Sequence, residues 1–266
     1  MADIHPTAIV SSKAKLGKQV MIGPYSVVGG NVVLGDDVML RGHVVVDGRT
    51  QIGAGTEIYP FASIGHRPQD LKYAGEPSTL MIGEKNTIRE HVTMNPGTAG
   101  GGMETKVGDG GLFMMGAHVA HDCRIGDRVI MANNATLAGH VVVEDDAIIG
   151  GLAAVHQHVR IGRHAMVGGM SGVEHDVIPF GLVMGDRAAL NGLNVVGLKR
   201  GGFSRSDIQA LQTAYEAIFA RNDSMADRLC EIERLFSDNG PVRELLSFIR
   251  SESSRALCKP KPGHGG

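Results

Sequence analysis

The chain contains no tryptophan, and its 7 phenylalanines and 4 tyrosines make up only 4% of 266 residues. A surface that stacks bases needs aromatic faces and an excess of positive charge. Neither is present: 26 Lys and Arg face 28 Asp and Glu, for a formal charge of -2. No nucleic-acid partner is therefore expected. Three cysteines (Cys123, Cys230 and Cys258) are an odd number without metal-ligand spacing, which points to reduced thiols in a cytoplasm. Nothing in the sequence marks Cys123 as an activated nucleophile. No run of 18 apolar residues occurs, so no membrane span is expected. Met1 to Pro6 carries no basic stretch leading into an apolar one, so no signal peptide is expected either. Hydrophobic residues still reach 42%, which is too many for a disordered chain. The core must be built from aliphatic side chains.

Glycine is what the chain has in excess: 38 residues, about 14%, roughly twice ordinary usage. It does not recur every third residue, which excludes collagen. It belongs instead to a repeat of six. Stepping by six from Ile4 meets Val10, Leu16, Ile22, Val28, Leu34, Leu40, Val46, Ile52, Ile58 and Ile64, all aliphatic and often followed by Gly. Small or β-branched residues such as Ala8, Val20, Ser26 and Thr56 stand four places further on. The register breaks over 67–79, resumes at Ile82, Ile88 and Met94, breaks again over 97–105, and runs from Val107 to Val173. A helix of 3.6 residues per turn cannot hold a six-residue stripe on one face, and a plain strand would alternate by two. A solenoid with flat sides joined by turns needs both features, with one large aliphatic per side and Gly or Asn taking the turn geometry. A narrow repeating interior would also explain the shortage of rings.

The repeat ends at Pro179, and 180–203 read as irregular. Helical patterning follows. Ser204 is a candidate N-cap for a run to Ala220 with Ile208, Leu211, Ala214, Tyr215 and Ile218 on one stripe. Ser224 caps a second helix, and Asn239-Gly240-Pro241 opens a third. The tail from Lys259 to Gly266 reads as frayed. The expected organisation is a solenoid over 1–191, with loops at 67–79 and 97–105, and a helical domain over 192–266.

The hexads resemble those of left-handed parallel β-helix proteins, and that resemblance implies three sides of six residues per coil, so positions 18 apart stack. Successive coils lie about 4.8 Å apart. His118, His121, His140, His156 and His158 then fall on one flank, with Asp122 beside His121 and with Gly139 and Gln157 stacked on the His121 position. Such a patch has three readings. It can be a solvated, turn-rich surface. It can be a zinc site, since neutral imidazole is a common ligand. Or one histidine can be a general base, oriented by the adjacent carboxylate. No serine or cysteine is placed for a covalent intermediate, which favours direct transfer.

Several stretches are more specific than the hexad. They include Ile4-His5-Pro6-Thr7-Ala8, Gln69-Asp70-Leu71-Lys72-Tyr73-Ala74-Gly75-Glu76-Pro77 and Ala117-His118-Val119-Ala120-His121-Asp122-Cys123. Others are Ala132-Asn133-Asn134-Ala135-Thr136-Leu137-Ala138-Gly139-His140, Ala154-Val155-His156-Gln157 and Gly197-Leu198-Lys199-Arg200. Together they resemble the acyl-[acyl-carrier-protein]–UDP-N-acetylglucosamine O-acyltransferases over nearly the whole chain. The resemblance implies a left-handed parallel β-helix of about ten coils with a small C-terminal helical domain. It implies an enzyme of the Gram-negative cytoplasm, a homotrimer with active sites in clefts between subunits. Such an enzyme moves an (R)-3-hydroxyacyl chain from acyl carrier protein to the 3-hydroxyl of UDP-N-acetylglucosamine, the first step of lipid A synthesis. No cofactor or metal is implied.

Residue by residue, the resemblance makes His121 the general base, Asp122 its partner and Gly139 the oxyanion donor. It makes His118, His140, His156 and Gln157 lining residues of the sugar and acyl site. Gln69, Asp70 and Lys72 lie on a loop reaching toward substrate, and Asn194 and Arg200 lie near the nucleotide. Lys199, Arg200 and Arg205 could also meet an acidic carrier protein. Gly169 matches the position that measures chain length, and a glycine there implies an open groove for a long acyl chain, about 14 carbons. Three departures bear on nucleotide and sugar recognition: Val196 in place of a frequent glutamate, Gly201 in place of a second arginine, and Thr93-Met94-Asn95-Pro96-Gly97. The alternative acceptor is the 3-amino analogue of the sugar. Rival functions are the later N-acyltransferase of the pathway, an acetyl-CoA-dependent acetyltransferase and a non-catalytic β-helix. Hexads beginning at Ile4 disfavour the first, the 69–77 motif the second, and the histidine flank the third.

Overall fold

A computed structural model describes residues 2–220 and 224–261. The hexads fold into two-residue strands that wind into a parallel β-helix. Its three faces hold 11, 9 and 8 strands; we call them faces I, II and III. One interior column on face I runs Ile4, Ile22, Leu40 and Ile58 at steps of 18. The step lengthens to Ile88 and again to Phe113, where the two loops are inserted. It returns to 18 through Met131, Ile149 and Val167. Both insertions fall at the corner where face II passes into face III.

Two expectations about composition need correction. Apart from Gly65, glycines after the aliphatic position do not supply the left-handed turns. Eighteen non-glycine residues with positive φ, among them Tyr25, Asp122, Asn134 and His140, occupy corners of that kind. The glycines are needed because adjacent coils nearly touch. A Cβ on Gly23 would lie 1.6 Å from the carbonyl oxygen of Arg41, and one on Gly53 would lie 2.4 Å from the carbonyl carbon of Gly83. Nor is the interior closed to rings. Phe113 is fully buried on the face I column, and Gly111 makes room for it, since a Cβ there would lie 2.8 Å from the ring.

The stretch expected to be irregular is ordered. Strand Gly181–Met184 continues face I and pairs antiparallel with Ala189–Leu193, which ends the solenoid with a hairpin. Helix α1, Val195–Arg200, follows, capped by the Asn194 side chain. Helices α2 (Arg205–Phe219), α3 (Met225–Leu235) and α4 (Gly240–Arg250) start where the sequence placed them. The side chains of Ser204, Ser224 and Asn239 each accept from a backbone N–H of the first turn. The start of the tail is not frayed: the Leu190 N–H donates to the Lys259 carbonyl at 3.0 Å. Residues 262–266 lie outside the described part. No helix among the described residues is long and apolar enough to cross a membrane.

One buried ion pair ties the helices to the β-helix. Asp176 is fully buried and accepts from Arg160 Nε at 2.7 Å and from the Arg160 N–H at 2.8 Å. The same guanidinium lies over the Phe248 ring of α4, 4.4 Å from its centroid.

Candidate active site

The corner between faces II and III carries the histidines because each coil turns there. Strands His118–Val119, Thr136–Leu137 and Ala154–Val155 stack in register on face II. The turns after them hold His121-Asp122, Gly139-His140 and His156-Gln157-His158. Asp122, His140 and His158 form a column of left-handed residues, with φ of 61°, 62° and 64°. The rings of His140 and His158 stack with centroids 4.4 Å apart, and His121 meets His140 edge-on at 5.1 Å.

His121 and Asp122 form the centre. His121 Nδ1 lies 2.8 Å from Asp122 Oδ2, and the carboxylate side chain is wholly buried. An ionised carboxylate only accepts, so Nδ1 carries the proton and Nε2 keeps its lone pair. The ring lies over Gly139: a Cβ at that position would sit 2.5 Å from His121 Cε1 and 2.7 Å from Nε2. The Gly139 N–H has no acceptor among the described residues. A proton acceptor and a bare backbone donor are thus side by side.

The carboxylate is held by residues that the repeat did not reveal. Thr98, on the second loop, donates its N–H to Asp122 Oδ1 at 2.9 Å and its hydroxyl to Oδ2 at 2.6 Å. Thr105 Oγ1 accepts the Asp122 N–H at 2.7 Å. Gly101 packs so closely that a Cβ on it would lie 2.0 Å from the Asp122 carboxyl carbon. The two loops are joined, because Glu76 Oε1 accepts the Ala99 N–H at 3.0 Å, and that bond holds the Glu76 carboxyl below its usual range. No sequence signal marked Thr98 or Gly101, and Glu76 stood in the 69–77 motif with no role assigned, since both loops lie off the hexad register.

Burial pushes the imidazoles of His118 and His140 below the usual histidine range. His118 Nδ1 bonds Thr93 Oγ1 at 2.7 Å, and His140 Nε2 lies 4.0 Å from Asp122 Oδ2. On the first loop Asp70 is half-buried and takes the Lys72 N–H at 2.9 Å, while Gln69 and Lys72 are exposed. Asn95 is buried with its Oδ1 unpaired, while its amide nitrogen donates to the His66 carbonyl at 3.1 Å. Cys123 is inert: burial pushes its thiol up to about 12.

Three expected residues lie elsewhere on the chain. Gly169 follows strand Met166–Val167 of face I and precedes Gly172–Val173 of face II, so it sits on a different corner. Asn194 is tied up in structure: Oδ1 accepts the Gly197 N–H and Nδ2 donates to the His164 carbonyl, both at 3.0 Å. Arg200 is exposed at the end of α1.

His121, Asp122 and His140 also offer ligand atoms within 4.8 Å of one another, a donor set suited to a transition metal. Both oxygens of Asp122 already accept hydrogen bonds, three in all, from Thr98 and His121. A metal would compete for these oxygens with the bonds that orient His121.

A family described as UDP-N-acetylglucosamine O-acyltransferase, domain 2, matches residues 176–258, and the bacterial transferase hexapeptide family matches 13–48 and 104–139. The chain is 55% identical over 258 residues to the acyl-[acyl-carrier-protein]–UDP-N-acetylglucosamine O-acyltransferase of Rickettsia felis, covering 97% of this chain and 98% of that one. The chain belongs to that O-acyltransferase family. The Methylobacterium radiotolerans member is 62% identical over 204 residues, covering 77% of this chain and 75% of its own. A crystal structure of a UDP-N-acetylglucosamine acyltransferase superposes with a TM-score of 0.93 at 43% identity, covering 98% of this chain and all of the other. The Moraxella catarrhalis O-acyltransferase gives 0.92 at 40% identity, covering 96% and 99%. The family fold, a left-handed β-helix with C-terminal helices, is the fold of this chain.

Proposed function

We propose that this protein transfers an (R)-3-hydroxyacyl chain from acyl carrier protein to the 3-hydroxyl of UDP-N-acetylglucosamine, opening lipid A assembly in a Gram-negative cytoplasm. One observation carries the mechanism: His121 keeps Nε2 free over Gly139 while Nδ1 is tied to a buried, fully hydrogen-bonded Asp122. Nε2 removes the proton of the sugar 3-hydroxyl as its oxygen attacks the thioester carbonyl carbon. Asp122 stabilises the imidazolium that forms. The tetrahedral oxyanion meets the Gly139 N–H, a kind of donor worth about 3 kcal/mol in such steps. Collapse breaks the C–S bond, and the leaving thiolate takes the proton back from His121. No covalent enzyme intermediate is needed.

His118, His140, His156 and Gln157 line the acceptor and acyl positions, and Gln69, Asp70 and Lys72 close over them from the loop. Asn194 supports the nucleotide position through α1, and Arg200 faces the phosphates or, with Lys199 and Arg205, the acidic carrier protein. Gly169 leaves the acyl groove open. We take the β-helix, bounded by sequence at residue 191, as the catalytic unit and the helical segment as its cap.

The placement of these residues favours a site between adjoining copies, and the family resemblance makes that assembly a homotrimer. His121 stands on the II–III corner and Gly169 on the I–II corner of one chain. An acyl chain that meets both is most simply held between two copies. The histidine corner of one chain is also an open ledge, with His156, Gln157 and His158 exposed.

The test is transfer by the purified protein from 3-hydroxyacyl carrier proteins of several lengths to UDP-N-acetylglucosamine. Transfer with an optimum near about 14 carbons is expected. No transfer from any of these donors, together with acetylation from acetyl-CoA, would replace this reading with an acetyltransferase.

A further inference from the structure

The segment after α4 turns back and lies along the end of the β-helix. The Ala256 carbonyl accepts the Asp176 N–H at 2.9 Å, the Cys258 N–H donates to the Asp176 carbonyl at 2.8 Å, and the Lys259 carbonyl accepts from Leu190. From this pinned strap Arg255 reaches the histidine corner, 99 residues away in sequence from His156. Its Nε donates to the Gln157 carbonyl at 3.0 Å, and its Nη2 lies 2.6 Å from His156 Nδ1. No repeat or motif signalled this contact.

A guanidinium has five donors, no acceptor and no accessible neutral form. The nitrogen facing it must therefore offer a lone pair. An imidazole that accepts at Nδ1 carries its proton on Nε2. The competing bond would run from an Nδ1 proton to the Gln157 carbonyl at 3.3 Å. It is longer, and that carbonyl already accepts from Arg255. We infer that Arg255 is a positioning residue that fixes His156 in the Nε2–H tautomer.

The inference deepens the proposed transfer reaction and rests on it for its consequence. A buried carboxylate holds the His121 proton on Nδ1 and leaves Nε2 bare. A guanidinium occupies the Nδ1 lone pair of His156 and leaves the proton on Nε2. The same ring type on the same corner thus serves as proton acceptor in one coil and as hydrogen-bond donor two coils on. In this arrangement His156 gives an N–H to a hydroxyl, carbonyl or phosphate oxygen of the substrates and cannot act as a second general base from Nε2.

The experiment is nitrogen NMR of the full-length protein labelled with 15N-histidine, with His156 assigned by the signals lost in His156→Gln. Expected in the wild type are Nδ1 in the unprotonated range and Nε2 in the N–H range. Arg255→Met should mix the tautomers and lower kcat/KM about tenfold, mainly through KM. Arg255→Lys should restore the tautomer and part of the loss. A protonated Nδ1 in the wild type overturns the inference, whatever the variants do. So does an unchanged His156 tautomer in Arg255→Met. The spectrum needs no turnover, so it answers even if the transfer reading fails, and a wrong tautomer leaves that reading standing.

Discussion

Adding one methyl group at Gly139 should disable the enzyme without unfolding it. The Cβ of Gly139→Ala would lie 2.5 Å from His121 Cε1, 2.7 Å from Nε2 and 3.1 Å from Nδ1. Restoring an ordinary carbon contact requires the ring to move by about 1 Å. Gly139 has no positive φ, so alanine adds no backbone strain there. The His121 side chain is 18% exposed and has an open side toward which to swing. The displacement falls on the proposed base itself, and a misplacement of about 1 Å costs roughly 10²-fold in rate. The backbone N–H survives in alanine, so the loss reports ring position and not removal of the oxyanion donor. The assay is single-turnover transfer from 3-hydroxyacyl carrier protein to UDP-N-acetylglucosamine, with a melting curve on the same sample. A fall in rate with little change in melting is expected. A wild-type rate would refute both the placement of His121 over Gly139 and its role as base.

His121→Ala should lose about 10²–10⁴ in kcat while still folding, measured in the same assay. Gly169→Met should shift donor preference to shorter chains. Its Cβ would meet the Gly151 backbone, the carbonyl oxygen at 3.3 Å and the nitrogen at 4.0 Å, so the variant should fold, and an unchanged chain-length profile would remove Gly169 from the groove. Stability should fall as pH drops below about 6.5, because His118 and His140 are held below their unfolded value. The unfolded chain then binds more protons than the folded one, and the loss should level off once pH passes below the lowered folded values. Melting temperatures from pH 7.5 to 5 check this, and His118→Gln should flatten the slope. Arg160→Met leaves the carboxylate of Asp176 buried without its charge partner and should cost about 3–5 kcal/mol in denaturant unfolding.

The parts of the fold that could be read in advance are those the coil repeats. The aliphatic stripe follows from the six-residue period, and the 18-residue stacking and the histidine corner follow from it once the resemblance supplies three sides per coil. The three long helices announced themselves through Ser204, Ser224 and Asn239, whose side chains accept from their own first turns. What the period could not reach lies off the register. Thr98 arrives at Asp122 from an inserted loop, and Arg255 arrives at His156 from a strap after the last helix. Neither has a sequence neighbour that betrays its partner. The role of glycine was also hidden, because the need for a missing Cβ at Gly23 or Gly53 comes from the next coil and not from local φ. Asn194 resembled a ligand contact in sequence, yet its amide is occupied at both ends in capping α1.

These additions explain how a surface corner can carry demanding chemistry. A β-helix fixes its turns by stacking, so side chains at one corner stand in a rigid column at the coil spacing. Rigidity alone fixes where the imidazoles stand and not what each one bonds. Their chemistry diverges because non-repeating segments attach different groups to them. The second loop brings Thr98, which holds the carboxylate that fixes His121 for its proposed role as base. Glu76 ties that loop to the one bearing Gln69, Asp70 and Lys72, so the proposed closure on substrate and the orientation of Asp122 share one hydrogen-bonded path. That path predicts that Glu76→Gln, which keeps an acceptor but removes the charge, should impair transfer less than Glu76→Ala. Glu76→Ala frees the Ala99 N–H and should lower kcat as well as raise KM, although Glu76 lies on the substrate loop. If Glu76→Ala changes KM alone, the two loops act independently, and Thr98 holds Asp122 without help from the first.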